Sequence, residues 1–326
     1  MTPRRTRPWA LLALLFCLAA PAFAGMPAGR VAAAREPQDA SAAPVLASRA
    51  GPQLTVPRTA RLGEPFLIRL RSRTPLSGVT VTWLARRAEL SAAAVPMREG
   101  GGFEVLAVLG SDIAGTAAGP HEVAVRLRHG GRTLTLRAPV RILPAEHPVE
   151  ELTLDPAMVE PPAAALPRIR EEHELVRRLL AGTLARPATA RLWSLPLLRP
   201  VPGLLSSEYG LRRVLNGQPR APHKGMDLEA AEGEPVKAAA DGAVLLAADL
   251  YFAGQAVYLD HGQGLVTAYF HLSRRDVRTG MRVTRGQVLG LTGQTGRSTK
   301  PHLHFAAWAL GRPVDPGPLL GYENQP

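Results

Sequence analysis

The feature that most constrains this chain is a two-residue alternation of side chains, carried in short runs that glycine and proline interrupt. Phe66, Ile68 and Leu70 alternate with Leu67, Arg69 and Arg71. Val79, Val81 and Trp83 alternate with Thr80 and Thr82, and Val123, Val125 and Leu127 with Ala124, Arg126 and Arg128. Leu134 and Leu136 continue the pattern. Successive side chains on a strand point to opposite faces, so each run reads as a half-buried strand. Turn signals such as Leu62-Gly63-Glu64-Pro65 and His129-Gly130-Gly131 separate the runs. About six or seven short strands over residues 51–143 predict an antiparallel β-sandwich, immunoglobulin-like in outline but without the cysteine pair of antibody domains. Its histidines, His121 and His129, flank a single strand, and nothing in this part looks catalytic.

Residues 144–203 read as a connector. The stretch 144–166 is rich in proline and in places acidic, with Glu146, Glu150, Glu151, Asp155 and Glu160. Arg168 to Ala181 predicts a short helix: Ile169, Val176 and Leu180 share a face, Pro167 precedes it and Gly182 follows as a stop. His173 lies on this helix beside glutamates, the pattern of a solvated charged face. From residue 204 to 326 the texture becomes short strands punctuated by glycine, which predicts a compact antiparallel β domain. The expected fold is therefore mainly β, a sandwich followed by a short helical connector and a second β domain.

Composition narrows the function. Of the 39 basic residues only Lys224, Lys237 and Lys300 are lysine, and the formal charge is +12. A basic excess suggests a nucleic-acid partner, but the N-terminus argues against it. Arg4, Arg5 and Arg7 precede an apolar run from Trp9 to Ala20, and Ala22-Phe23-Ala24 forms a small-x-small cleavage site. Residues 1–24 thus read as an export signal, too short in its apolar run to span a bilayer. No later stretch is long and apolar enough for a transmembrane helix. Phe16 before Cys17 is too bulky for lipoprotein cleavage. Residues 25–50, without periodicity, read as a flexible leader. Removal of the signal leaves 36 basic and 27 acidic residues and no cysteine. Neither disulfides nor thiolate metal ligands are then available. An exported chain without an aromatic-basic motif does not suit a nucleic-acid binder.

Five of the nine histidines fall between 223 and 304. His223-Lys224-Gly225-Met226-Asp227 places a histidine and an aspartate four apart, with Gly225 allowing a bend that would bring both onto one ion. His302-Leu303-His304 begins a strand, and alternation points both imidazoles to the same side, about 6–7 Å apart. Neutral imidazole and carboxylate are good zinc ligands, and a catalytic zinc keeps three protein ligands and an open position. A spare histidine beside such a site serves as general base or stabilises an oxyanion. Spacing alone leaves open whether one or both histidines of the second pair bind metal.

These motifs resemble those of the M23 family of zinc metallopeptidases, the lysostaphin-like or LytM-type enzymes that cut peptidoglycan. The matching stretches are Ser206 to Arg212, His223 to Asp227, Tyr269-Phe270-His271-Leu272-Ser273, Gly286 to Gly296, and Pro301-His302-Leu303-His304-Phe305. The resemblance makes residues 204–326 a metallopeptidase domain. It implies that His223, Asp227 and His304 are the ligands of one Zn²⁺, and that His271 and His302 are the two catalytic histidines beside it. Tyr209 and Arg212 are expected to line the substrate groove, and His261, in a turn, to be structural. Two positions depart from the family: Lys300 stands where glycine is usual, and Ala306 where an acid is common. Neither is a ligand, so a change of groove shape or charge is expected rather than lost catalysis. The implied function is hydrolysis of peptidoglycan cross-links, at bonds joining D-Ala to a diamino acid, by a periplasmic or secreted enzyme. The alternative is a non-catalytic LytM-type module that activates or binds another wall hydrolase; a regulatory protein is a further partner that the sequence does not identify. All ligand and catalytic positions are filled here, whereas such modules typically lack ligands.

Overall fold

The computed structural model describes residues 43–46, 51–97, 100–153 and 160–321. The expected export signal at 1–24 lies outside them. The N-terminal part contains β1 (Ala43–Leu46), β2 (Gln53–Val56), β3 (Thr59–Arg61), β4 (Phe66–Ser72), β5 (Ser77–Trp83), β6 (Arg86–Leu90), β7 (Ala93–Met97), β8 (Gly100–Leu109), β9 (Gly119–His129) and β10 (Arg132–Leu143). They form two five-stranded sheets, in the orders β1-β2-β4-β8-β7 and β3-β10-β9-β5-β6. The alternation becomes burial: Ile68, Leu70, Val79, Val81, Trp83, Val123, Val125 and Leu127 are all buried in one core between the sheets. Trp83 packs edge-on to Phe66 with ring centroids 5.3 Å apart, and its indole N–H donates to the Gly110 carbonyl at 2.7 Å. The expected sandwich is present. It begins earlier than expected, because β1 falls within the stretch read as a flexible leader. There Ala43–Leu46 pairs antiparallel with β2, a main-chain ladder that needs no side-chain periodicity.

The connector is more ordered than its proline content suggests. Strand β11 (Val149–Leu152) pairs in parallel with β13 (Arg212–Leu215), which also pairs with β14 (Gln218–Pro219). Helix α1 (Leu166–Ala185) is longer than expected and runs through Gly182. Gly182 costs only about 1 kcal/mol in a helix interior. The helix stops at Arg186, which is extended (φ −75°, ψ 153°), the conformation favoured before Pro187. Ile169 and Leu180 are its buried residues. Leu175, Val176 and Leu179 pack on the second β domain, and Leu184 packs on the sandwich core.

The second domain holds β12 (Leu205–Ser207), β15 (Met226–Glu229), β16 (Pro235–Lys237), β17 (Gly242–Leu250), β18 (Gly254–Asp260), β19 (Leu265–Arg275), β20 (Arg282–Val283), β21 (Val288–Thr292), β22 (His302–Ala309) and β23 (Arg312–Val314). The main path of its sheet is β12-β15-β22-β19-β18-β17-β20, with β16, β21 and β23 attached at its sides. Met226, Leu228, Leu259, Tyr269, Leu303 and Phe305 fill the core on one face. Among the described residues, no helix is long and apolar enough to cross a membrane.

The two β domains meet in a packed seam. The Asp315 N–H donates to the Gly63 carbonyl at 2.8 Å, and Gln263 exchanges two hydrogen bonds with the main chain of Ser91. Gly63 (φ +85°) and Gly110 are tight there. A Cβ on Gly63 would lie 2.6 Å from the Tyr209 ring, and one on Gly110 would lie 2.3 Å from Val314. Leu310 from the second domain is buried in the sandwich core, and Val108 from the sandwich is buried in the second domain's core.

Asp315 gives this seam a pH signature. Burial, reinforced by Glu208 and Glu64, pushes its carboxyl up to about 6 against a hydrogen bond from the Gly317 N–H. The folded pKa lies above the unfolded value of about 3.9. The associated stability is complete below about pH 4 and is lost as pH rises through about 6. Asp315→Asn keeps the acceptor oxygen without the charge. It should therefore melt higher than the wild-type chain at pH 7–8, with the difference disappearing as the pH is lowered to about 4. Thermal unfolding measured across that range checks this, and a difference independent of pH would contradict it.

Candidate metal centre and active site

The site is built on the pairing of β15 with β22, in which Asp227 stands opposite His304. Both strands alternate around it. Met226 and Leu228 turn into the core while Asp227 turns to the other face, and Leu303 and Phe305 are buried while His302 and His304 face the site. His223 arrives from the loop before β15. Its Nε2 lies 3.1 Å from Asp227 Oδ1 and 3.0 Å from His304 Nδ1, and His304 Nδ1 lies 2.8 Å from the same Oδ1. The three ligand atoms form one compact group that could hold a metal ion.

The surroundings fix which atoms face inward. His223 Nδ1–H donates to the Glu208 carbonyl at 2.9 Å, so its Nε2 points at the group. Phe270 stacks on His304 with ring centroids 5.0 Å apart and planes at 6°. On the ring's far edge sits Gly225, where a Cβ would lie 2.5 Å from His304 Nε2. Gly225 was expected to supply a bend. It has no left-handed φ, and its use is close approach, because any side chain would displace His304. Arg213 completes the carboxylate, donating from Nη2 to Asp227 Oδ2 at 3.2 Å and leaving Oδ1 toward the histidines.

Charge states follow from burial. Burial alone would raise the Asp227 carboxyl, but its close contacts with the His223 and His304 rings outweigh it and hold the group well below its ordinary value. Burial pushes His304 down to about 4, against its bond to Asp227. At neutral pH Asp227 is thus a carboxylate and His304 a neutral imidazole. For a tetrahedral ion with ligands at about 2.0–2.1 Å, neighbouring ligand atoms stand about 3.3 Å apart. The observed separations of 2.8, 3.1 and 3.0 Å are close to that, so the residues fit a small divalent cation.

Two further histidines stand beside the group. His271 adopts φ +62°, rare for a residue with a Cβ. It sits in a β-bulge, where three steps on β19, from Tyr269 to Leu272, answer two on β18, from Val257 to Gln255. Its N–H donates to the Ala253 carbonyl, and its Nδ1–H to the Thr295 carbonyl at 2.8 Å. Burial, helped by His304 and His302, lowers it to about 3. His302 Nδ1–H donates to the Lys300 carbonyl at 2.8 Å, and its Nε2 lies 3.7 Å from Asp227 Oδ1. The rings of His271 and His302 are 4.8 Å apart. Each has its Nδ1 pinned to a carbonyl, which leaves Nε2 to exchange a proton.

The remaining expected residues fall elsewhere. Tyr209 is buried in the interdomain seam, where its hydroxyl donates to the Pro313 carbonyl, so it does not line a groove. Its apolar ring fills the space that Gly63 leaves. Arg212 is exposed on β13, and its N–H donates to the Pro148 carbonyl. The neighbouring Arg213, which sequence reasoning missed, is the one that reaches Asp227. His261 is buried between the Asp241 carbonyl and the Thr267 hydroxyl, both at 2.7 Å, as expected of a structural histidine. The Lys300 side chain is exposed, and Ala306 is buried opposite Ala268.

Known proteins share this arrangement in part. Residues 221–316 match the family model described as Peptidase family M23. Over 112 residues the chain is 42% identical to the peptidoglycan DD-endopeptidase ShyA of Vibrio cholerae serotype O1, covering 34% of this chain and 26% of ShyA. The chain thus matches about a quarter of the length of that curated relative. It is 33% identical to the catalytic domain of the antimicrobial peptidase lysostaphin from Staphylococcus simulans, over 36% of this chain and 92% of that one, with a TM-score of 0.33. A crystal structure from Pseudomonas aeruginosa assigned to peptidase M23 covers 77% of this chain and is itself covered to 91%, with 28% identity and a TM-score of 0.56. The stretch that carries the His-Asp-His group, residues 221–316, thus resembles peptidase family M23.

Proposed function

We propose that this chain is an exported zinc endopeptidase that hydrolyses peptide cross-links of peptidoglycan, at bonds joining D-Ala to a diamino acid. The observation that carries this reading is the convergence of His223, Asp227 and His304 on one point with His271 and His302 free beside it. The family match and the likeness to a DD-endopeptidase support the substrate class. The N-terminal Arg-rich, apolar and small-x-small pattern supports export, to the periplasm or beyond.

Zinc held by His223 Nε2, Asp227 Oδ1 and His304 Nδ1 would supply a Lewis acid and a water of lowered pKa. The residues around it do the rest. Arg213 holds the second oxygen of Asp227, which keeps the carboxylate in one orientation. His271 and His302, both with Nδ1 bound to a carbonyl, accept a proton at Nε2. Once protonated, either donates to the developing oxyanion or to the leaving amine. His271's left-handed backbone is held by two hydrogen bonds, so its ring is placed before substrate arrives.

Two outcomes check this. The chain without its first 24 residues should bind about one zinc and release cross-linked muropeptides as monomers, and a chelator should abolish the release. Chelator-insensitive hydrolysis would contradict the reading, and a metal-free chain that only stimulates a separate wall hydrolase would favour the activator alternative. His304→Ala should lose the metal, while His302→Ala should retain it and lose about 10²–10⁴-fold in kcat, the usual contribution of a positioned acid–base group. Metal content and turnover of the same preparations decide the roles, and full activity in both variants would refute them.

A further inference from the structure

Beside Arg213, two arginines near the metal centre, Arg220 and Arg297, contact Gln218 and Phe252 rather than its His-Asp-His group. Arg213 is already engaged, with Asp227 Oδ2 at 3.2 Å, Ser207 Oγ at 3.2 Å and Glu150 Oε2 at 3.3 Å. Arg220 lies next to it, its N–H donating to the Arg213 carbonyl. One Arg220 nitrogen donates to the Gln218 side chain at 2.7 Å, while its Nε is buried without a partner among the described residues. A buried donor left unpaired costs free energy, so a ligand that accepts from it is favoured.

Arg297 lies in the loop between β21 and β22. Thr295, two residues before it, holds His271 through its carbonyl, and Ser298, one residue after it, lies 3.2 Å from His302 Nδ1. The Arg297 N–H donates to the Phe252 carbonyl, and its guanidinium lies over the Phe252 ring, 4.5 Å from the centroid. Among the described residues this guanidinium has no carboxylate partner. Arg297 keeps much of its surface in solvent, and partial burial, then the charges of Arg213 and Arg220, lower its pKa. Like charges held together beside a low-dielectric wall repel, and an anion between them relieves the repulsion. The planar fork of arginine suits a carboxylate in particular, and stacking on an aromatic ring sets its orientation in advance.

We propose that Arg297 and Arg220 form a carboxylate-binding site beside the metal centre, which holds a free carboxylate of the peptide substrate near the bond to be cut. Arg213 contributes its field rather than a contact, because Asp227 and Glu150 already occupy it. The proposal rests on the peptidase reading for the identity of the ligand.

The test uses two peptides of the cross-bridge type, identical except that one carries free carboxylates and the other carboxamides. Binding of each to the zinc-loaded chain is measured by titration calorimetry at pH 7, and cleavage of each is followed in parallel. The wild-type chain should bind the acid form about tenfold or more tighter than the amide, the range expected for a charge-assisted pair. Arg297→Ala should bind both at the weaker level, and Arg297→Lys should keep part of the preference, since the charge remains but the fork is lost. Thermal melting of each variant verifies folding, and Arg220→Ala provides an independent loss of the same preference. No acid preference in the wild type, or one that survives both alanine variants, would overturn the proposal. A wild-type chain that prefers the acid form but cleaves neither peptide would remove the endopeptidase reading and leave the carboxylate site standing. Cleavage of both without preference would do the reverse.

Discussion

Everything at this site depends on the register between β15 and β22. Antiparallel pairing sets Asp227 opposite His304, and a shift of one residue would turn both into the core and bring Leu228 and Leu303 out. Burial of Met226, Leu228, Leu303 and Phe305 on the other face opposes that shift. The apolar core therefore fixes the polar site. His223 can then reach the pair from a loop, because one hydrogen bond to the Glu208 carbonyl sets its ring and Gly225 leaves room for His304.

A second constraint acts through the loops. The bulge at His271 breaks the pairing of β18 with β19 and places the residue in a left-handed conformation. The strain is tolerated because Ala253 and Thr295 hold both its N–H and its Nδ1–H. Thr295 is itself fixed: its hydroxyl donates to the Leu272 carbonyl and accepts from the Gln255 N–H. The turn that carries Ala253 is held in turn by α1, where Glu172 accepts from the Tyr251 N–H at 2.8 Å and His173 stacks on Phe252. The connector thus supports the active-site loops from behind, and the sandwich is joined to the same body through the seam at Gly63 and Gly110.

Much of this was legible in the residues themselves. Period-two alternation marked the strands of the N-terminal sandwich, because burial on one face is what makes a strand alternate, and glycine-punctuated short runs marked those of the second domain. His302-Leu303-His304 revealed two imidazoles on one face, and the resemblance assigned one of them as a ligand. Contacts between distant segments were not legible. Arg213 meets Asp227 only because the β13–β14 hairpin folds beside β15, and β11 pairs through main-chain atoms that leave no pattern in side chains. Tyr209 belongs to a family-like motif yet faces the seam, a placement set by Gly63, some 150 residues earlier in the chain. His173 lies on an exposed helix position, as its charged neighbours suggest, but its ring meets Phe252, which no local pattern reports.

The central claim is that three atoms, His223 Nε2, Asp227 Oδ1 and His304 Nδ1, hold one ion while His271 and His302 stay free. A crystal structure of the zinc-loaded chain, with anomalous scattering recorded at the zinc edge, tests it most directly. The account predicts a single anomalous peak within about 2.0–2.2 Å of those three atoms, with His304 bound through Nδ1 and both remaining histidines outside the ligand set. A peak bound by His271 or His302, or by His304 through Nε2, would contradict it.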